Sequence, residues 1–261
     1  MSHFPVLMYH RLHSSRVPVT DPTERPWAVS AAEFEWQVGR LAQAGRTGVS
    51  MRDAHAALSA AGRVPPAWVV LTFDDGNESD HAHALPILAS RGFRATFFVC
   101  GHRVGARGGL ERSMIKDMHD AGMHIGSHAM THRFLTTLSG AEEEEELARS
   151  QALLQEIVIE PIDHFAPPGG RWSRRTEATL RRLSYRAVST SSFGFNDAGT
   201  VKFAYRRIPV VEATSRARFD DIVAGARVRL LSGYARAGAV GFVRRALGES
   251  VYARLRGYRE A

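Results

Sequence analysis

The chain reads as an α/β protein built on parallel strands, arranged as an open sheet or a barrel. Two observations lead there. Residues 4–9 and 68–73 are continuous apolar runs, too short for helices and too apolar for half-exposed strands. Stretches with helical spacing separate such runs along most of the sequence. A length of 261 residues suits one barrel-sized unit.

Residues 4–9 form a buried strand, followed at once by His10 and Arg11. Residues 14–29 carry Pro18, Pro22 and Pro26 among polar neighbours and predict a loop. Ser30 with Glu33 is a capping-box pattern, and Phe34, Val38 and Leu41 recur at helical spacing until Gly45. The strand at 68–73 runs directly into Asp74-Asp75-Gly76. A helix over 79–90 ends at Gly92, and 95–99 is the next strand. A helix over 110–121 ends at Gly122, and the short strand 123–126 leads into Ser127 and His128.

Ser139 with Glu142 is a second capping box, opening a helix that runs to residue 157. The run Glu142–Glu146 lies where the helix dipole favours negative charge, and it predicts a solvated face rather than a metal site. Then follow a strand at 162–166, the turn Pro167-Pro168-Gly169-Gly170, a helix at 174–183, and strands at 187–189 and 207–211.

Hydrophobic residues at 44% and charged residues at 23% exclude wholesale disorder. Cys100 is the single cysteine, so an internal disulfide and a cysteine zinc site are both excluded; it reads as a buried small residue. No apolar run approaches the ~18 residues of a membrane span. The first residues lack a basic segment followed by an apolar one, which gives the expectation of a cytoplasmic protein, peripheral at most to the inner membrane.

The net charge of +7 is uneven, because residues 202–261 hold 13 basic and 5 acidic side chains. The sequence therefore divides into a barrel-sized unit at 1–216 and a basic, amphipathic helical extension at 217–261. Its arginines, including Arg227, Arg229, Arg244 and Arg245, fit helices packed on the barrel, or contact with an anionic membrane surface or a partner glycosyltransferase. No nucleic-acid motif accompanies the charge, so no nucleic-acid partner is expected.

In parallel α/β folds the reactive residues follow the C-terminal ends of strands. Four polar clusters lie there: Tyr9-His10-Arg11, Thr72-Phe73-Asp74-Asp75-Gly76, Ser127-His128-Ala129-Met130-Thr131-His132, and Phe165-Ala166-Pro167-Pro168-Gly169-Gly170. Asp74 and Asp75 are neighbours whose side chains point apart, so they divide the work, one at a metal and one at a proton. Alone, the pair fits a simple turn equally well. His128 and His132, four apart, can share one face and hold a divalent ion with Asp75 as a third ligand. Twelve histidines make chance pairs at this spacing common, so the pair gains weight only beside Asp74-Asp75. A metal would polarise a carbonyl and acidify a water, with Asp74 as the base and a Gly169 N–H facing the oxyanion.

Residues 72–76, 126–132 and 165–170, in this order and spacing, resemble the polysaccharide deacetylases, carbohydrate esterase family 4. Residues 6–12, 26–50 and 207–210 are similar to the branch found among exopolysaccharide biosynthesis proteins. The resemblance covers residues 4–211. It implies a deformed (β/α)7 barrel and a divalent metal, most often Zn2+. It also implies removal of N-acetyl, or O-acetyl, groups from a sugar polymer or glycoconjugate precursor.

By motif, Asp74 is the base, Asp75, His128 and His132 are the ligands, and Pro168-Gly169 is the oxyanion turn. The sequence departs from the family at several points. Ala129 replaces a Ser or Thr, with loss of a supporting hydrogen bond expected. Ala166 replaces an arginine that orients the base, and Arg171 or Arg207 is expected to take over. Arg207-Ile208-Pro209-Val210 lacks the Leu-x-His motif of the general acid, leaving His10 as the acid or a substrate contact. Two other readings keep parts of this picture: a hydrolase of a small amide or ureide on the same barrel, and a catalytically weak carbohydrate-binding or scaffold protein.

Overall fold

The computed structural model describes residues 3–14, 19, 24–226 and 230. The chain opens with β1 (Val6–Tyr9) and β2 (Arg11–His13). Pro26 starts a single turn at Arg25–Trp27, followed by β3 (Ala28–Ser30) and α1 (Ala31–Gln43). The Ser30 side chain accepts the Glu33 N–H, as the capping pattern predicts. Next come β4 (Thr47–Val49) and α2 (Met51–Ala61), then β5 (Trp68–Asp75). A π turn at Asp80–Ala84 runs into α3 (Leu85–Ala89). The order continues with β6 (Thr96–Val99), α4 (Arg112–Asp120), β7 (His124–Ser127), α5 (Gly140–Val158), β8 (His164–Phe165) and α6 (Arg174–Arg182). The described residues finish with β9 (Ala187–Phe193), β10 (Tyr205–Pro209) and α7 (Arg216–Val223).

Seven parallel strands close a barrel in the order β1-β10-β9-β8-β7-β6-β5, with β5 pairing back onto β1. This is the deformed (β/α)7 barrel of the sequence reading. β4 adds to the first half of β5, and β2 with β3 forms a separate parallel ribbon.

Alternation along each strand sorts the core into two layers. Leu7, Tyr9, Val69, Leu71, Phe73, Phe97 and Val99 pack outward under the helices. Val6, Val70, Phe98, Ala166, Ala187 and Tyr205 fill a second, smaller cluster. Thr72 and Asp74 share the face of Val70, so the upper barrel interior is polar. Register then sets the site. Asp75 pairs with Val99, Val99 with Ser127, and Ser127 with Phe165, so the ends of four strands stand side by side.

Several element predictions need correction. β4 and α2 were not foreseen, although Ser50 and Asp53 form a capping box at the start of α2. The loop of 14–29 gives way to β3 at Ala28. The strand read at 162–166 is only His164–Phe165; Ala166 still donates its N–H to the Ser127 carbonyl before Pro167, which has no N–H, ends the ladder. β9 runs on to Phe193 through polar, exposed Ser191 and Ser192, which conceal it from an apolar pattern.

The boundary placed at residue 216 falls inside a packed helix. Phe219 of α7 is fully buried against Trp36, and Arg216 and Asp220 pair with Glu33 and Arg40 of α1. The remaining predictions for the C-terminal extension fall on 227–229 and 231–261, outside the described residues apart from Leu230. Among the described residues no helix is long and apolar enough to cross a membrane.

Candidate metal centre and its neighbouring carboxylate

Asp75 ends β5 with φ at 84°, a left-handed conformation that turns its side chain away from that of Asp74. Its Oδ1 lies 3.5 Å from His128 Nε2 and 3.3 Å from His132 Nε2. The three side chains offer ligand atoms within 4.8 Å of one another. His128 Nδ1 lies 2.7 Å from the Ala166 carbonyl, which fixes its proton there and leaves the Nε2 lone pair facing Asp75.

Asp75 Oδ1 is buried and has no well-formed hydrogen bond among the described residues. A buried carboxylate oxygen facing two imidazole nitrogens fits a divalent cation. Burial would raise the Asp75 carboxyl, but His128 and His132 hold it well below the usual range. It is ionised at neutral pH, as a ligand must be.

Strain collects at this centre. Among the described residues, Asp75, Ala129 and His132 are three of the five non-glycine residues with positive φ. The loop that holds Ala129 and His132 is tied down from α5. Glu146 accepts the N–H groups of Met130 and Thr131 at 3.0 and 2.8 Å, and the Thr131 hydroxyl at 2.5 Å. Ser127 Oγ accepts the Ala129 N–H at 3.3 Å.

Asp74 faces the barrel interior. Arg207 Nη1 and Nη2 donate to its Oδ1 and Oδ2 at 2.6 and 2.8 Å, and both side chains are almost fully buried. The guanidinium is itself positioned, since its Nε donates to the Thr190 carbonyl at 2.9 Å. Burial raises the Asp74 carboxyl, but Arg207 and His128 together hold it below the ordinary range. Of the two arginines considered for orienting Asp74, Arg207 is the one that pairs with it, while the Arg171 guanidinium lies 4.2 Å over the Phe134 ring.

The sequence matches the polysaccharide deacetylase family over residues 61–188. The chain belongs to the polysaccharide deacetylase family. It is 26% identical over 222 residues to YxkH of Bacillus subtilis, covering 84% of this chain and 75% of that protein. Against the peptidoglycan-N-acetylglucosamine deacetylase of Bacillus cereus it is 29% identical over 121 residues, 46% of this chain and 54% of that one. The deacetylase PplD of Streptococcus pyogenes, solved with acetate, superposes with a TM-score of 0.76 at 25% identity, covering 85% and 98% of the two chains.

In this deacetylase-family chain His10 follows β1 at the same barrel mouth, its ring centroid 4.9 Å from that of Trp27. Its Nδ1 is buried without a well-formed hydrogen bond. Burial lowers the His10 pKa, and the carboxylates of Asp75 and Asp74 offset this only in part. The resting imidazole is neutral at pH 7, better suited to a hydrogen bond with substrate than to proton donation. Gly169 sits in the turn Pro168–Gly170 with φ at 61°, and a Cβ there would fall 2.6 Å from Phe134 Cε1. Pro168 is buried beneath that turn.

The reading of residues 142–146 as a solvated face is corrected for two of the five. Glu143 and Glu146 are buried, the first accepting from the Thr176 hydroxyl at 2.9 Å. Their spacing of three, continued by Leu147, Ser150 and Leu154, was the available signal. Trp27, hidden in a proline-rich stretch, gave none.

Proposed function

We propose that this chain is a zinc-dependent hydrolase that removes N-acetyl groups from a sugar polymer or glycoconjugate precursor. The observation that carries this reading is the placement of an ionised, arginine-clamped Asp74 beside the Asp75, His128 and His132 set. A carbohydrate-binding scaffold has no use for a base held ionised in a buried position. Asp75, His128 and His132 hold the ion, whose donor set of two imidazoles and a carboxylate suits zinc. When bound, such an ion polarises the acetyl carbonyl and lowers the pKa of a water towards ~7.

Asp74 accepts the proton of the attacking water, while Arg207 keeps its carboxylate fixed and charged. The water oxygen bonds to the carbonyl carbon, and the C–N bond breaks with the electron pair leaving on nitrogen. The proton held by Asp74 returns to that nitrogen, so acetate and a free amine are the products. The Gly169 N–H faces the developing oxyanion, and His10, braced on Trp27, contacts the sugar. The named substrate of the Bacillus cereus relative, a peptidoglycan N-acetylglucosamine, supports the sugar class.

The test is acetate release from N-acetylglucosamine oligomers by zinc-loaded protein, set beside Asp74→Asn and His128→Ala. Release by the wild type alone, with one ion lost in His128→Ala, supports the reading. Ion binding without release from any acetylated sugar, polymeric or oligomeric, overturns it.

A further inference from the structure

The deacetylase site uses the C-terminal ends of the strands. The other end of the same barrel holds a second cluster of metal-ligating side chains. His124 opens β7 and His164 opens β8, with Asp163 just before it. The ligand atoms of His124, Asp163 and His164 lie within 4.8 Å of one another. Both histidines are buried, with side chains 3% and 2% exposed. His164 Nδ1 lies 2.7 Å from Asp163 Oδ1, while the Nε2 atoms of both histidines have no well-formed hydrogen bond among the described residues.

His124 Nδ1 lies 3.0 Å from Thr96 Oγ1, which also accepts the Met51 N–H at 2.8 Å. That hydroxyl orients the ring and leaves Nε2 aimed at Asp163, 3.9 Å from Oδ1. The gap is too long for a hydrogen bond. A tetrahedral zinc with bonds of about 2.1 Å separates its ligand atoms by about 3.4 Å, so a closure of about half an ångström would let both atoms share one ion. His55 of α2 stands beside His164 with ring centroids 5.4 Å apart, a third imidazole. His55 also lines a surface cavity of 490 Å³ together with Arg186 and Lys202.

We propose a second metal site here, in which His124, Asp163 and His164 bind a zinc-type ion, with His55 the candidate fourth ligand. Burial and neighbouring charge keep His124 uncharged, and His55 is pushed down to about 4, so both imidazoles present lone pairs at neutral pH. Burial raises the Asp163 carboxyl, but His164, Arg52 and Arg186 hold it low and ionised. The positive charges of Arg52, Arg186 and Lys202 oppose a cation, so the carboxylate is essential. The site would tie α2 to the starts of β7 and β8, a structural role independent of the chemistry at the opposite end.

The test separates the two centres. Protein stripped with chelator is dialysed against zinc chloride and its metal content measured. Wild type should hold two ions per chain, and His128→Ala with His132→Ala should hold one. Adding Asp163→Ala to that pair should leave none, and Asp163→Ala alone should keep acetate release and one ion. Because burial puts folding of a His124→Ala variant at risk, cobalt replaces zinc in the His128→Ala, His132→Ala protein as a second readout. Intense visible bands of a four-coordinate site are expected, and their loss in Asp163→Ala. One ion in wild type with none after His128→Ala and His132→Ala overturns the proposal, as does a second ion that survives Asp163→Ala.

Discussion

Replacing Arg207 with alanine attacks the site through a residue that touches neither metal ligand nor solvent. Asp74 is 2% exposed, and its two short hydrogen bonds to Arg207 are charge-assisted. At about 1.5–3 kcal/mol for each bond to a charged group, their joint loss falls near the 3–5 kcal/mol cost of breaking a buried ion pair. At roughly 2–4 °C per kcal/mol for a chain of this size, Tm should drop by about 6–20 °C.

The folded Asp74 carboxyl sits below its unfolded pKa, so its stabilisation is present above the unfolded value and is lost as pH falls through the folded one. In Arg207→Ala burial dominates and the folded pKa rises, so the base is protonated over a wider range. The acid limb of the acetate-release profile should move to higher pH, and kcat at pH 7 should fall by about 10²–10⁴. Arg207→Lys should recover part of the stability and less of the rate, because one ammonium cannot reproduce the fork. Arg207→Ala with wild-type kcat and an unmoved acid limb would refute the assignment of Asp74 as a base clamped by Arg207.

Glu146→Gln should lower zinc affinity by about 10–100-fold while the fold persists, measured by competition with a chelating dye, because the ligand loop loses its charged anchor. Gly169→Ala forces a Cβ at positive φ against Phe134, and should cut acetate release with a stability loss of about 1 kcal/mol or more in urea titration. His10→Phe should raise KM for N-acetylglucosamine oligomers more than it lowers kcat, whereas a fall in kcat with KM unchanged would return His10 to the role of acid. In ion-free protein burial lowers the His128 pKa, but the neighbouring carboxylates of Asp75 and Asp74 raise it above the unfolded value. Its stabilisation is thus full below the unfolded value and lost as pH rises through the folded one, while protons compete with zinc at acid pH. The zinc-induced gain in Tm should accordingly be larger at pH 8 than at pH 5.5.

The barrel was legible because its strands are buried on both faces and read as continuous apolar runs. The ligands were legible because three of the runs end in Asp or His at the same barrel mouth. Arg207 was legible only as one of two candidates. Its strand carries it at a buried position that an apolar pattern would reject, and its partner lies 133 residues away. Glu146 was misread because five consecutive glutamates look alike in composition, while helical geometry buries the one that faces the His128–His132 loop. β4 and β9 were missed or shortened because polar and small residues occupy part of each.

Ala166 and Arg207 together show how one requirement is met from another direction. Asp74 needs a cation at hydrogen-bonding distance, because an ionised carboxylate buried alone is too costly to keep. Ala166 follows β8 and contributes a methyl to the inner core and a carbonyl to His128, so it supplies no charge. Arg207 enters from β10, which the barrel's closure places beside β1, itself paired to β5. Its Nη1 also reaches the Thr72 hydroxyl two residues before Asp74 on β5, and that hydroxyl donates to the Leu7 carbonyl of β1. The base is therefore clamped by the same contacts that close the barrel between β10, β1 and β5. In such an arrangement the loss of Arg207 should loosen the closure and the chemistry together, and Arg207→Ala should raise amide hydrogen exchange in β1 and β10 before it does so in β6 and β7.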